Sequence, residues 1–175
     1  MHVLLHVLTV ITLCVIAWQD LHSRAVIWLL FPLLAGLGVG VAFLELGSFP
    51  LLGQYVAINC GFLLLQFAVL RTWFFIRKKD GRGFVDHVIG KGDLFFLLAS
   101  ACFFSPVNFI LFYLFSLLFS LVLYLLASRW PGSGSRWSTV PLAGLQAGFL
   151  LLCLPVHLLL KLPLTDDSWI TLKLL

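Results

Sequence analysis

The chain holds seven acidic residues, and two of them, Asp20 and Asp93, adjoin long apolar stretches. The other five have ordinary settings in the sequence. Glu45 is expected in a loop, Asp166 and Asp167 in the C-terminal tail, and Asp80 and Asp86 in a basic loop that would solvate them. A carboxylate close to lipid costs on the order of 2.5–3.5 kcal/mol, so it calls for a partner or a task. Asp20 has a candidate partner in Arg24, four residues on, the spacing of a helical ion pair. Asp93 closes the run Gly90-Lys91-Gly92-Asp93. Two carboxyls that face each other cannot both be ionised, and they share a proton. The ionised member can take a proton from water while the neutral member donates to a carbonyl oxygen. That chemistry suits amide hydrolysis and requires neither metal nor cofactor. Glycines let backbone approach closely, so an extended peptide could lie against Gly90 and Gly92. The same glycines would serve equally as loop and cap residues.

The elements that position these residues follow from composition. Of 175 residues, 62% are hydrophobic and 10% charged, with a mean hydropathy of +1.11. A soluble domain carries about 25% charged residues. Lipid must therefore be the solvent, and the unit of organisation is an apolar span of ~20 residues. Six apolar stretches occur, at about 3–18, 26–44, 51–70, 85–105, 107–127 and 140–160. Helices are expected, because a lipid-exposed backbone must satisfy its own hydrogen bonds. A β-barrel would alternate with period two, and Leu63-Leu64-Leu65 does not. The expectation is an all-α polytopic membrane protein of about six transmembrane helices, one domain over 1–175. The fourth stretch is a difficulty. Counted from Asp93 it is too short to cross, at about 20 Å; counted from Val85 it carries Asp93 into the membrane.

The connections after the first, third and fifth stretches hold nine of the eleven basic residues. The positive-inside rule puts these loops in the cytoplasm and both termini outside. Asp20 and Asp93 then share the cytoplasmic side. The net charge of +4 is small and gives no reason to expect nucleic acid. Arg77-Lys78-Lys79 suits anionic headgroups of the membrane lipid instead. Cys14, Cys60, Cys102 and Cys153 stand singly in apolar runs, so neither a zinc site nor a disulfide framework is expected. The apolar N-terminus lacks a basic n-region and reads as a first span, not a cleaved leader. Residues 131–135 read as a flexible turn.

Two segments, in this order, resemble the motifs of the type IV prepilin peptidases, membrane aspartyl proteases of the Gly-x-Gly-Asp class. The first is Asp20-Leu21-His22-Ser23-Arg24-Ala25-Val26-Ile27, and the second is Gly90-Lys91-Gly92-Asp93 running into Leu94-Phe95-Phe96-Leu97-Leu98-Ala99. A weaker echo is Val140-Pro141-Leu142-Ala143-Gly144, opening the last apolar stretch. The resemblance implies that Asp20 and Asp93 are the catalytic pair, with Gly90, Lys91, Gly92 and Arg24 around the substrate's approach. It implies cleavage after glycine in the basic leader of a prepilin-like or preflagellin-like protein, at the cytoplasmic face of the inner membrane. Trp28 stands where the family often has proline. The cysteine-pair region of the longer members has no counterpart, so peptidase activity without methyltransferase activity is expected. His22 and His87 could tune a carboxylate or be interfacial polar residues. Two other readings stay open: a proton-coupled transporter, since intramembrane carboxylates also relay protons, and a non-catalytic subunit in which Asp20 pairs with Arg24 and Asp93 caps a helix. The peptidase reading requires both aspartates at one depth.

Overall fold

The computed structural model describes residues 2–78, 90–128, 141–160 and 163–167, which form six helices and no strand. The helices are α1 (His2–Ser23), α2 (Leu30–Leu46), α3 (Phe49–Lys78), α4 (Lys91–Ser100), α5 (Pro106–Ser128) and α6 (Leu142–Leu160). Three of them, α1, α3 and α5, are long and apolar enough to cross a membrane; α2 and α6 are shorter apolar helices. Prolines punctuate the starts. Pro32, Pro50 and Pro106 fall in first turns and Pro141 immediately precedes α6, where a missing N–H breaks no helical bond. Gly47 ends α2 in the left-handed conformation (φ 65°), its N–H donating to Phe43 O at 2.8 Å.

Several boundaries differ from those expected. The first helix runs five residues past Trp18, so Asp20 lies in its last turn and not beyond it. The second begins at Leu30, with Val26–Leu29 serving as a connector, and its last turn includes Glu45, which is helical and not in a loop. The third continues from Leu70 through Arg71 and Trp73 to Lys78, because no glycine or proline interrupts that run. The fourth is only 10 residues, about 15 Å. It starts after Gly90 and carries Asp93 in its first turn. Residues 85–89, 129–140 and most of the expected 71–91 loop lie outside the described residues, as does His87.

The helices pack around a core built largely of phenylalanine. Phe96, Phe103 and Phe109 are fully buried, joined by Leu13, Ile16, Leu34, Leu63 and Leu150. Helix α1 packs most extensively on α6 and next on α2; α5 also lies on α6, and α4 lies between α2 and α6. The outward faces of α1, α3 and α5 stay apolar and exposed, at Leu4 and Ile11, at Leu64 and Leu65, and at Leu121 and Val122. A surface of this kind, on helices long and apolar enough to cross a membrane, points to lipid as its surroundings.

The end of the bundle far from Asp20 is tied by polar side chains. Glu45 accepts hydrogen bonds from Thr165 N (3.1 Å) and Thr165 Oγ1 (2.8 Å), and lies 3.3 Å from His157 Nε2. Asn108 donates to Leu164 O and Asp166 O, and Ser105 Oγ donates to Asp167. The short α4 is held by Asn59 of α3, whose buried amide donates to Ala101 O and Phe104 O, both at 2.9 Å. Removing that amide leaves two buried carbonyls without a donor, each a loss of about 1–3 kcal/mol. Asn59→Leu therefore lowers the thermal unfolding transition of the detergent-solubilised protein by several degrees, measurable by intrinsic fluorescence. An unchanged transition would mean that α4 is held by packing alone.

Candidate active site

The site forms where three helix ends meet. Pro141 O accepts from Leu145 N (3.1 Å), which makes Pro141 the N-cap of α6. Proline has no side-chain oxygen with which to cap a helix, and the next residues, Leu142, Ala143 and Gly144, supply none either. The orphan amides are capped from outside. Ala143 N donates to Asp93 Oδ1 at 2.8 Å, and Gly144 N donates to Asp20 Oδ2 at 2.5 Å. One helix N-terminus thus gathers two carboxylates from two other helices. Adjacent amide nitrogens lie about 3 Å apart, so the two accepting oxygens are within about 8 Å of each other. The charges of Asp20 and Asp93 act on each other across that gap. The positive end of the α6 dipole faces both and offsets part of their repulsion.

Asp93 also satisfies its own helix. It is the third residue of α4, and its carboxylate takes a hydrogen bond from the Gly90 amide at the N-cap. That is the acidic half of a capping box. Gly90 has an ordinary extended backbone (φ −62°, ψ 130°), so its glycine is not demanded by conformation. It is demanded by space: a Cβ there would stand 2.7 Å from Asp93 Oδ2. Gly92 differs, since its nearest neighbour is Phe31 Cζ at 3.8 Å. Gly144 is crowded as well, where a Cβ would meet Asp20 Cβ and Oδ2 at 3.0 Å. Of the two motif glycines, Gly90 makes room for the carboxylate, and Gly92 has space for a methyl.

Arg24 lies just past the end of α1 rather than on it. Its N–H donates to Asp20 O (3.1 Å), and its φ of 54° is left-handed, a conformation that costs a non-glycine residue about 1 kcal/mol. Arg24 has thus left the helix, and its charge acts on Asp20 from this position. The connector folds back on α1 through Ile27 N donating to Gln19 Oε1 at 3.0 Å. His22 is exposed and stacked on Trp18 with ring centroids 5.8 Å apart, away from any role as a buried partner of Asp20. Lys91 is exposed at the first position of α4.

Asp20 is 8% exposed and Asp93 is half-buried, so neither carboxylate stands on an open face. Among the described residues, no group of three His, Cys, Asp or Glu side chains is arranged to hold a metal ion. Sequence reasoning placed Ala143 and Gly144 in a weak motif echo and gave them no role; they act through backbone amides. The available signal was a Pro-x-x-Gly run with no capping side chain, opening an apolar stretch.

The two motif glycines separate in a stability measurement. Gly90→Ala drives a methyl into the Asp93 carboxylate and lowers stability by about 1–3 kcal/mol. Gly92→Ala brings a methyl into ordinary contact with Phe31 inside a helix and raises stability by about 0.5–1 kcal/mol. Thermal unfolding of the two variants beside the parent checks the order; equal shifts would mean that Gly90 does not abut Asp93.

In comparisons with known proteins, no family model, no curated protein and no solved structure matches this chain.

Proposed function

We propose that this protein is a membrane aspartyl endopeptidase that cleaves the leader of a type IV prepilin-like or preflagellin-like protein, with Asp20 and Asp93 as the catalytic pair. The observation that carries the reading is the capture of both carboxylates by neighbouring amides, Ala143 N and Gly144 N, at one end of the bundle. Two separate sequence motifs converge there, with the third segment of the family resemblance supplying the amides. In the reaction, the ionised carboxyl takes a proton from water as the water oxygen bonds to the scissile carbonyl carbon. The protonated carboxyl gives its proton to the carbonyl oxygen. Collapse of the tetrahedral intermediate breaks the C–N bond, and the amine leaves with a proton returned by the dyad.

The reading includes six passes through the cytoplasmic membrane, both termini outside and the dyad at the cytoplasmic interface. The basic loops support this orientation. So do three exposed tryptophans at the dyad's end of the bundle: Trp18 (70% exposed), Trp28 (71%) and Trp73 (50%). Tryptophan concentrates at membrane–water interfaces. A prepilin presents its leader junction at that depth.

A structural reading has support of its own, because each aspartate caps α6. Conservative variants separate the two. Asn keeps a carbonyl oxygen that accepts from the same α6 amide and removes the titrating group, although at Asp93 it leaves one acceptor oxygen for the two amides of Ala143 and Gly90. Asp20→Asn and Asp93→Asn should each remain inserted in the membrane and lose cleavage of a co-expressed prepilin by on the order of 10²–10⁴-fold. The mobility shift of the prepilin reads the outcome, and full processing by either variant leaves only the structural role.

A further inference from the structure

Gln146 is the one fully buried side chain among the described residues whose amide nitrogen and oxygen both lack a hydrogen-bond partner. A polar group desolvated in this way costs stability and calls for an explanation. Its position supplies one. Gln146 lies three residues after Ala143, whose amide holds Asp93, and two after Gly144, whose amide holds Asp20. Residues three apart share a helix face. Long helical side chains lean toward the N-terminus, over the preceding turn. The Gln146 side chain therefore leans toward the turn that holds the dyad.

The neighbouring helix does not satisfy it. Phe149, one turn further on, packs against Phe112 and Phe119 of α5, with ring centroids at 6.0 Å and 5.3 Å. That brings the Ser116–Ser120 stretch of α5 level with Gln146. Both hydroxyls are buried and donate within their own helix, to Tyr113 O and Ser116 O.

We propose that Gln146 is a substrate-binding residue, whose carboxamide pairs with one peptide unit of the extended substrate beside the scissile bond. A carboxamide presents one acceptor and two donors side by side, the complement of a backbone C=O and N–H. An extended chain has those groups unpaired and, where it is shielded from water, must find partners for them. With no substrate bound, Gln146 keeps its groups unpaired; binding relieves both sides at once. This deepens the peptidase reading and rests on it.

The test uses the full-length protein in detergent with a synthetic peptide that joins a basic leader, a glycine and an apolar stretch. Gln146→Met keeps the volume and removes the polar group; Gln146→Asn keeps the group and withdraws it by one methylene. Thermal unfolding, steady-state cleavage and peptide affinity in the Asp20→Asn background are measured for each. The expected result is a Gln146→Met protein that unfolds at or above the parental temperature yet binds and cleaves about 10- to 100-fold more weakly, with the loss in KM, as two hydrogen bonds predict. Gln146→Asn should lose binding similarly. Parental binding and cleavage by both variants overturns the role of Gln146 and leaves the peptidase reading standing. A lower unfolding temperature for Gln146→Met overturns it too, since the carboxamide would then have a structural partner. A parent that cleaves nothing and binds nothing removes the peptidase reading and this inference together.

Discussion

The N-terminus of α6 is the point on which the arrangement turns. A helix begins with unpaired amides, and those of Ala143 and Gly144 are buried where water cannot take them. Most helices solve this locally with Ser, Thr, Asp or Asn at the N-cap. Here the cap is Pro141, which offers nothing, and the second and third amides are taken by Asp93 and Asp20 from α4 and α1. The bond to the ionised member is charge-assisted and contributes about 1.5–3 kcal/mol; the bond to the neutral member contributes less. The bundle cannot satisfy this helix end without bringing its two costly carboxylates together. Stability and the proposed chemistry therefore draw on the same contacts.

That coupling also accounts for the short α4. Asp93 must cap two helix starts, its own at Gly90 and that of α6 at Ala143. Both starts then lie at one level, at the end of the bundle where α1 finishes. A helix begun one or two turns earlier would carry Asp93 inward and break both bonds. The 10-residue length is closed at the other end by Asn59, which takes the carbonyls of Ala101 and Phe104. Gly38 lets α2 approach this turn so closely that a Cβ would stand 2.6 Å from the Phe103 ring. A side-chain amide and a missing methyl thus fix the position of this short helix.

The parts of this fold that were legible in sequence were those governed by the solvent. Exposed apolar faces and helical runs follow from composition, and the two aspartates were conspicuous because lipid makes charge expensive. Boundaries were less legible. Hydropathy ended the first helix at Trp18 and the third at Leu70, but a helix continues into water or headgroups until something stops it, and Leu21, Trp73 and Phe75 do not. Glu45 was placed in a loop by its charge alone. Its partners, Thr165 and His157, lie more than 100 residues away and leave no local trace. Gly90 and Gly92 looked alike in sequence and differ in function, because only the fold puts a carboxylate against one of them.

The amides of Ala143 and Gly144 were illegible for a deeper reason: a backbone group has no letter of its own. Asp20 and Asp93 could be paired by topology, yet what each is bound to is a group that every residue except proline possesses. The choice of residue type enters only by exclusion. Gly144 leaves space that a Cβ would close to 3.0 Å from Asp20, and Pro141 keeps the helix from supplying its own cap. Gln146 belongs to the same turn and shows the converse. Its carboxamide is conspicuous as a polar residue in an apolar run, but only burial reveals that nothing in the resting protein answers it. A site assembled from amides that are satisfied and a carboxamide that is not is stable without substrate, and it keeps one polar demand open for a ligand of peptide chemistry to meet.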